Sequence, residues 1–200
     1  MSTVLTPTLS AVRQVPPKKW TVKEFHALGS TGKFEGRRLI LLRGVILEQG
    51  MMKPPHAVAV GVVLEALGFL LPLGFCVRVQ LPLVLSLDTD PMPDIAVVPG
   101  KQRDYVIDHP TKSPLVIEIS DTTFDTDVTD KAELYATAGI ADYWVLDFES
   151  RQLLVFRDPV PLPAGLGATA YRDRSTYGPT DPVAPLHFPA VSIRVADLLP

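Results

Sequence analysis

Runs of apolar residues alternate with short polar segments along the chain, and this pattern predicts a mixture of helices and strands. Thr21 with Glu24 three positions later forms a capping box, which marks a helix start. Apolar stretches on both sides of Gly44 predict a hairpin over residues 38–48. A longer apolar run follows, and we expect it to form a buried helix over residues 55–71.

A third helix is predicted from Asp127 to Ala138. Asp125 or Thr126 can cap its start, and Gly139 can end it. The remaining apolar runs are short and rich in β-branched residues, which is typical of strands. These predicted strands are residues 75–81, 93–98, 115–120, 143–147 and 152–156, with tail strands near 168–172 and 191–195.

This order of elements predicts an α/β (α+β) fold in which a mixed sheet has a helix packed across each face. The chain has 20 prolines among 200 residues, and many of them fall after residue 158. Because proline lacks a backbone donor and breaks helices, we expect loops and short strands in the C-terminal third. We expect a flexible arm at residues 1–18 and a single domain at residues 19–200.

The apolar run at residues 57–77 is long enough to raise the possibility of a membrane-spanning helix. Glu65 lies near its middle, and Gly68, Pro72 and Gly74 interrupt its second half. These residues favour a buried helix followed by a turn and a strand, so no membrane contact is predicted.

Composition limits the remaining possibilities. The formal net charge of −3 argues against non-specific electrostatic binding of nucleic acid over the whole surface, so any contact with nucleic acid must be local. Cys76 is the single cysteine, which excludes an internal disulfide framework and a cysteine-rich zinc site. A reducing cytoplasm is the expected location.

Two acidic residues interrupt strands that should be apolar. Glu118 lies in the middle of the run 115–120, and Asp94 opens the run 93–98. If these strands are neighbours, both carboxylates can converge and hold a hard divalent cation such as Mg²⁺. Lys131, on the following helix, could reach back to them. Such an arrangement is suited to the hydrolysis of phosphodiesters.

Each of these residues also has a purely structural explanation. Asp94 could cap a turn after Pro93, and Glu118 could be an inward charge that protects a strand edge. Lys131 follows Asp127 by four residues, so an ion pair on the helix surface would account for it. The residues alone leave these alternatives open.

The amino-acid sequence around these residues is more specific than their spacing. The stretches PDIAVV from Pro93, PLVIEIS from Pro114, DKAELY from Asp130 and AGIADYWVLD from Ala138 closely resemble the Uma2 family. Upstream, the stretch WTVKEF from Trp20, the hairpin at residues 44–48 and Pro55-His56 fit the same family. The resemblance covers residues 20–156, with a looser fit in the tail.

The resemblance implies a restriction-endonuclease-like fold of the PD-(D/E)XK superfamily, with an αβββαβ core, an N-terminal helix and hairpin, and a C-terminal β tail. It implies that Asp94 and Glu118 are the two acids of the motif and that they bind Mg²⁺ or Mn²⁺, with the carbonyl of Ile119 as a further candidate ligand. Ser120 occupies the position of the motif's lysine, a departure from the superfamily pattern, and Lys131 takes over the role of that lysine.

Further residues are assigned less directly. Glu48 is a candidate additional acid, His56 a candidate at the mouth of the pocket, and Gln80 could face the site. Tyr135 and Trp144 are expected to pack in the core or a pocket wall.

The first functional hypothesis is a metal-dependent endonuclease acting on DNA. The second is a catalytically silent module of the same fold that binds nucleic acid or protein, and a membrane-associated or purely structural protein ranks last. The surplus of apolar residues also predicts a homodimer.

Overall fold

The computed structural model describes residues 16–121, 123–161 and 169–200 of the chain. The helices are α1 (Val22–Gly29), α2 (Pro54–Leu70), α3 (Phe124–Thr126) and α4 (Ala132–Thr137). The strands are β1 (Leu39–Leu42), β2 (Val45–Glu48), β3 (Phe75–Val79), β4 (Ile95–Pro99), β5 (Leu115–Ser120), β6 (Asp142–Asp147), β7 (Gln152–Pro161), β8 (Thr169–Tyr177), β9 (Pro182–Val183) and β10 (Ile193–Arg194). Most of the predicted arm, residues 1–15, lies outside the described residues.

The core of the fold is a six-stranded sheet with the order β3-β4-β5-β6-β7-β8. Strands β5 and β6 are parallel, and the other neighbouring pairs are antiparallel. Helix α2 packs on one face with the inward side chains of β4, β5 and β6, and α4 covers the other face. The predicted mixed sheet with a helix on each face is therefore confirmed.

The N-terminal part agrees with the sequence pattern. Thr21 Oγ1 accepts a hydrogen bond from the backbone N–H of Glu24 at 3.2 Å, and the Glu24 carboxylate accepts one from the Thr21 N–H at 2.9 Å. Strands β1 and β2 form the predicted hairpin. Its turn places Arg43 and Gly44 at φ 49° and 75°, a conformation that Gly adopts without strain.

The helix predicted from Asp127 to Ala138 differs from its prediction. It begins at Phe124, so Asp125 and Thr126 lie inside the helical segment rather than capping it. A single π-helical turn, Asp127–Lys131, connects α3 to α4. Asp127 is fully buried and accepts a hydrogen bond from Thr123 Oγ1 at 2.6 Å. This bond joins residues four positions apart, whereas the Tyr143 hydroxyl of β6 donates to the Asp127 carbonyl at 2.8 Å and ties the segment to the sheet.

The C-terminal third contains longer strands than its prolines suggested. β7 runs for ten residues and includes Pro159 and Pro161. Strand β6 pairs with β7 only as far as Arg157, whereas β8 continues to pair along the other edge. Pro159 and Pro161 therefore lie beyond the part of β7 that pairs with β6, where no hydrogen bond to β6 is lost for want of a proline N–H. The predicted short strands are wrong here.

The long apolar run forms α2, which packs on the sheet and ends before β3. Within the described residues, no helix is both long enough and apolar enough to span a bilayer.

Candidate functional site

The pairing of β4 with β5 brings the two predicted acids together. Ile95 lies opposite Ile117, which places Asp94 next to Glu118 at the end of the paired region. The backbone N–H of Asp94 donates to Glu118 Oε2 at 3.3 Å. Both residues share the face of the sheet that α4 covers, because side chains on a strand alternate between faces.

Asp94 is held by three donors. Its Oδ1 lies 3.0 Å from His56 Nε2 and 2.9 Å from Gln80 Nε2, and its Oδ2 accepts from the Ile119 N–H at 2.9 Å. Burial alone would raise the pKa of Asp94, but His56 and the other donors outweigh burial and lower it. The same contact raises the pKa of His56, so a charged imidazole is favoured beside a charged carboxylate.

Glu118 lies deeper, with 2% of its surface exposed. Its Oε1 accepts from the Tyr135 hydroxyl at 2.6 Å, and its Oε2 lies 3.1 Å from Lys131 Nζ. Burial raises the pKa of Glu118 to about 7, and Lys131 opposes that shift without cancelling it. The site thus pairs an ionised carboxylate, Asp94, with a carboxyl that titrates near neutral pH.

Lys131 ends the π-helical turn and reaches both acidic partners. Its ammonium lies 2.7 Å from Asp127 Oδ1 and 3.1 Å from Glu118 Oε2. Burial would lower the pKa of Lys131, but the carboxylates of Glu118 and Asp127 raise it overall. Lys131 is therefore a cation at neutral pH, suited to donating hydrogen bonds and stabilising negative charge rather than accepting a proton.

These groups face a cavity of about 250 Å³. Besides the residues above, the segment between β2 and α2, Met92 and the three polar residues Arg38, Asp121 and Thr123 line it. The lining residues are Arg38, Gln49, Gly50, Met51, Met52, Lys53, His56, Gln80, Met92, Asp94, Glu118, Ile119, Asp121, Thr123 and Lys131. The side chain of Ile119 packs on the α2 face, so its backbone is the part available to the cavity.

The donor set is compatible with Mg²⁺ or Mn²⁺. In the described part of the chain, no group of three or more His, Cys, Asp or Glu side chains is arranged to hold a metal ion. Mg²⁺ does not require one, because it usually keeps several waters and takes one or two carboxylates together with substrate phosphate oxygens. Asp94 and Glu118 supply two hard oxygen donors at the wall of an open cavity.

The other predicted residues divide into two groups. His56 and Gln80 both contact Asp94. Glu48 does not line the cavity, and its carboxylate pairs with Arg37 at 2.5 Å on the exposed side of the hairpin. The structure therefore does not bring Glu48 to the cavity, because the hairpin turns its side chain away. Ser120 is buried, and its Oγ has no hydrogen-bond partner within the described residues.

The structural alternatives are also resolved. β5 lies between β4 and β6, so Glu118 does not protect a strand edge. Asp94 accepts from β5 rather than capping its own turn. Lys131 does pair with Asp127, but that pair is buried and includes Glu118.

The sequence pattern missed three contributors. Tyr135 packs in the core as expected, but its hydroxyl donates to Glu118. Asp127 was considered only as a surface partner of Lys131. Arg38 carried no signal, because an arginine next to another arginine before a strand looks like any exposed basic residue. The available signal for Tyr135 and Asp127 was their position on the buried side of a helix that follows the candidate acid Glu118.

Comparisons with known proteins bear on the fold and the family. No curated protein matches the sequence. The crystal structure of a putative nuclease belonging to DUF820 from Anabaena variabilis superposes with a TM-score of 0.64 at 16% identity, covering 89% of this chain and 96% of that one. At that identity the likeness shows a shared fold. The Uma2 family model, described as a putative restriction endonuclease, matches residues 22–196, and the chain therefore belongs to the Uma2 family.

Proposed function

We propose that this protein is a metal-dependent endonuclease that hydrolyses phosphodiester bonds in DNA. The observation that carries the proposal is the convergence of Asp94, Glu118 and Lys131 on one cavity from two strands and a helix. Two acids that can hold a divalent ion, with a cation beside them, suit the hydrolysis of phosphodiesters. Membership of a family described as a putative restriction endonuclease supports the same reaction.

Each residue has a distinct task in this proposal. Asp94 and Glu118, with the backbone carbonyl of Ile119, would hold Mg²⁺ or Mn²⁺, which would supply Lewis-acid polarisation of the scissile phosphate. Lys131 donates a hydrogen bond that orients the attacking water or stabilises charge on a phosphate oxygen. The water oxygen bonds to phosphorus and releases one proton to solvent, while the ester P–O bond breaks and the leaving oxygen takes up one proton to become an alcohol.

Four other residues support these groups. His56 and Gln80 fix the orientation of Asp94, and Tyr135 fixes that of Glu118. Ser120 takes the lysine's place in the motif, and its short side chain leaves the cationic role to Lys131.

A catalytically silent module that binds nucleic acid or protein is the second candidate. The net charge of −3 favours it, because a nuclease usually carries a basic surface for its substrate. The hydrogen bonds that already hold both carboxylates are also compatible with a purely structural polar cluster.

Cleavage of plasmid and oligonucleotide DNA with Mg²⁺ or Mn²⁺ tests the proposal. We expect Asp94→Asn, Glu118→Gln and Lys131→Met each to lower the rate by about 10²-fold or more. Glu65→Gln, on the exposed side of α2, is the matched control and should cut like the parent protein. Thermal denaturation of each variant checks that the fold is retained.

Calorimetric titration with Mn²⁺ gives a readout independent of cleavage. The parent protein and Glu65→Gln should bind the ion, and Asp94→Asn should not. Binding that is unchanged in Asp94→Asn would contradict the assigned ligand role. A parent protein that binds DNA but cuts none with either ion would favour the silent module.

The predicted homodimer is a separate proposal. The side chains of Val58 and Leu64 are exposed on the outer side of α2, and Leu73 is fully exposed just beyond it. Sedimentation velocity at increasing protein concentration tests self-association, and a monomer at every concentration would refute it.

A further inference from the structure

Two adjacent arginines, Arg37 and Arg38, have opposite surroundings. Arg37 lies on the exposed side of the hairpin, where its guanidinium donates twice to Glu48, at 3.0 and 2.5 Å. Arg38 lies on the cavity side and is half-buried. Its Nη2 donates to Gln80 Oε1 at 2.9 Å, and it forms no ion pair with any residue in the described part of the chain.

Gln80 connects Arg38 to the acids. Its amide oxygen accepts from Arg38, and its amide nitrogen donates to Asp94 Oδ1 at 2.9 Å. The backbone of Gln80 has φ 48°, in the left-handed region that non-glycine residues rarely adopt. Its N–H is shared between the carbonyls of Pro93 and Asp94 at 3.1 Å each. A non-glycine residue stays in this region only where the surrounding structure fixes its backbone, and such residues cluster at functional sites.

Among the residues that the structure describes, the Arg38 guanidinium therefore leaves most of its hydrogen-bonding capacity unused. The group carries five N–H donors in a planar fork, a shape that matches the oxygens of a phosphate. A half-buried cation without a counter-ion is unfavourable, so an anionic ligand would bind here more tightly than at an exposed arginine. The neighbouring lysine of the cavity rim, Lys53, already lies 3.7 Å from Asp121.

We propose that Arg38 binds a phosphate of the substrate strand next to the phosphate that is cut. The inference rests on the proposed function and extends it, because it assigns a second phosphate subsite one amide away from Asp94. The ligand class is a nucleic-acid strand with at least two successive phosphodiesters. A single phosphate monoester would fill only one of the two subsites.

The pair of arginines supplies its own control. We compare Arg38→Ala, Arg38→Lys and Arg37→Ala in cleavage assays and in binding of a fluorescein-labelled 12-nucleotide strand in metal-free buffer. Arg38→Ala should raise KM and Kd by about 10-fold with little change in kcat. It should also reduce the slope of log K against log salt by about 0.7 to 0.9, the share of one phosphate contact.

Arg38→Lys should give KM and Kd values between those of the parent protein and Arg38→Ala, because lysine keeps the charge but lacks the planar, forked set of donors. Arg37→Ala should match the parent protein in KM and kcat, since its partner is Glu48. The alternative is that Arg38 only positions Asp94 through Gln80 and binds no phosphate. Gln80→Ala tests this, because it breaks the link to Asp94 and leaves the Arg38 guanidinium in place. It should lower kcat while leaving the salt dependence unchanged.

The outcomes separate this inference from the proposed function. If Arg38→Ala behaves like Arg37→Ala while the parent protein cuts DNA, the phosphate subsite is refuted and the nuclease stands. The subsite is equally refuted if Arg38→Ala loses kcat as Gln80→Ala does, with an unchanged salt slope. A parent protein that binds the strand through Arg38 but cuts nothing supports the subsite and refutes hydrolysis. Failure to bind any strand at millimolar concentration overturns both.

Discussion

Glu118→Gln should make the metal-free protein more stable at neutral and alkaline pH while removing its proposed activity. Glu118 is buried beside Asp94 and Asp127, and burial raises its pKa from 4.5 to about 7. Between these two pH values the folded protein holds a proton that the unfolded chain releases. The free energy of unfolding therefore falls as the pH rises from about 4.5 to about 7, and it levels off above that.

The size of this effect follows from the shift in pKa. A displacement from 4.5 to about 7 corresponds to roughly 3 kcal/mol between the ends of the window. Glutamine resembles the protonated carboxyl in shape, and its amide can still contact Tyr135 and Lys131. The variant should therefore match the parent protein near pH 4.5 and exceed it by roughly 3 kcal/mol at pH 8.

Urea denaturation from pH 5 to pH 8.5, with a chelator present, measures the difference directly. The pKa of His56 is also raised, so its contribution is present below 6.5 and is lost as the pH rises through the folded pKa. Both proteins contain His56, and its effect largely cancels in the comparison. Glu65→Gln is the exposed control and should leave the pH profile unchanged. A Glu118→Gln variant less stable at pH 8, with the parent's pH slope retained, would refute the reasoning.

The remaining predictions concern contacts away from the site. Asp142 is buried and accepts hydrogen bonds from Trp144, Arg157 and the N–H of Leu186, so Asp142→Ala should lower the free energy of unfolding by about 3 to 5 kcal/mol, measured by urea denaturation. Gly44→Ala should lower the melting temperature, because the φ of Gly44 is 75° and the new Cβ would lie 2.8 Å from Lys19 Cβ. Gly61→Ala in α2 is the control: its new Cβ would meet nothing within 4 Å, and the variant should be more stable by about 1 kcal/mol. An equal loss in both alanine variants would contradict the role given to the turn.

Short-range patterns were sufficient for most of the fold. The capping box at Thr21, the hairpin around Gly44 and the run 115–120 each depend on residues within one turn or one strand. Alternation along a strand placed Glu118 opposite the face of Ile117 and Ile119 without any knowledge of its neighbours. Local reasoning misplaced the start of the third predicted helix, where the buried Asp127 is held both by Thr123 and by the distant Tyr143 of β6.

The candidate site shows the same division. The sequence by itself determined which strands carry the acids and which face of the sheet they occupy, because a side chain's direction on a strand depends only on its position. Only the tertiary structure decided that Lys131 reaches Glu118, that Tyr135 donates to it, and that Glu48 points away. These contacts depend on how separate elements pack and on the π-helical turn before α4, which no local pattern encodes. Arg37 and Arg38 are neighbours in sequence, yet one faces solvent and the other the cavity, because the path of the chain into β1 turns them to opposite sides.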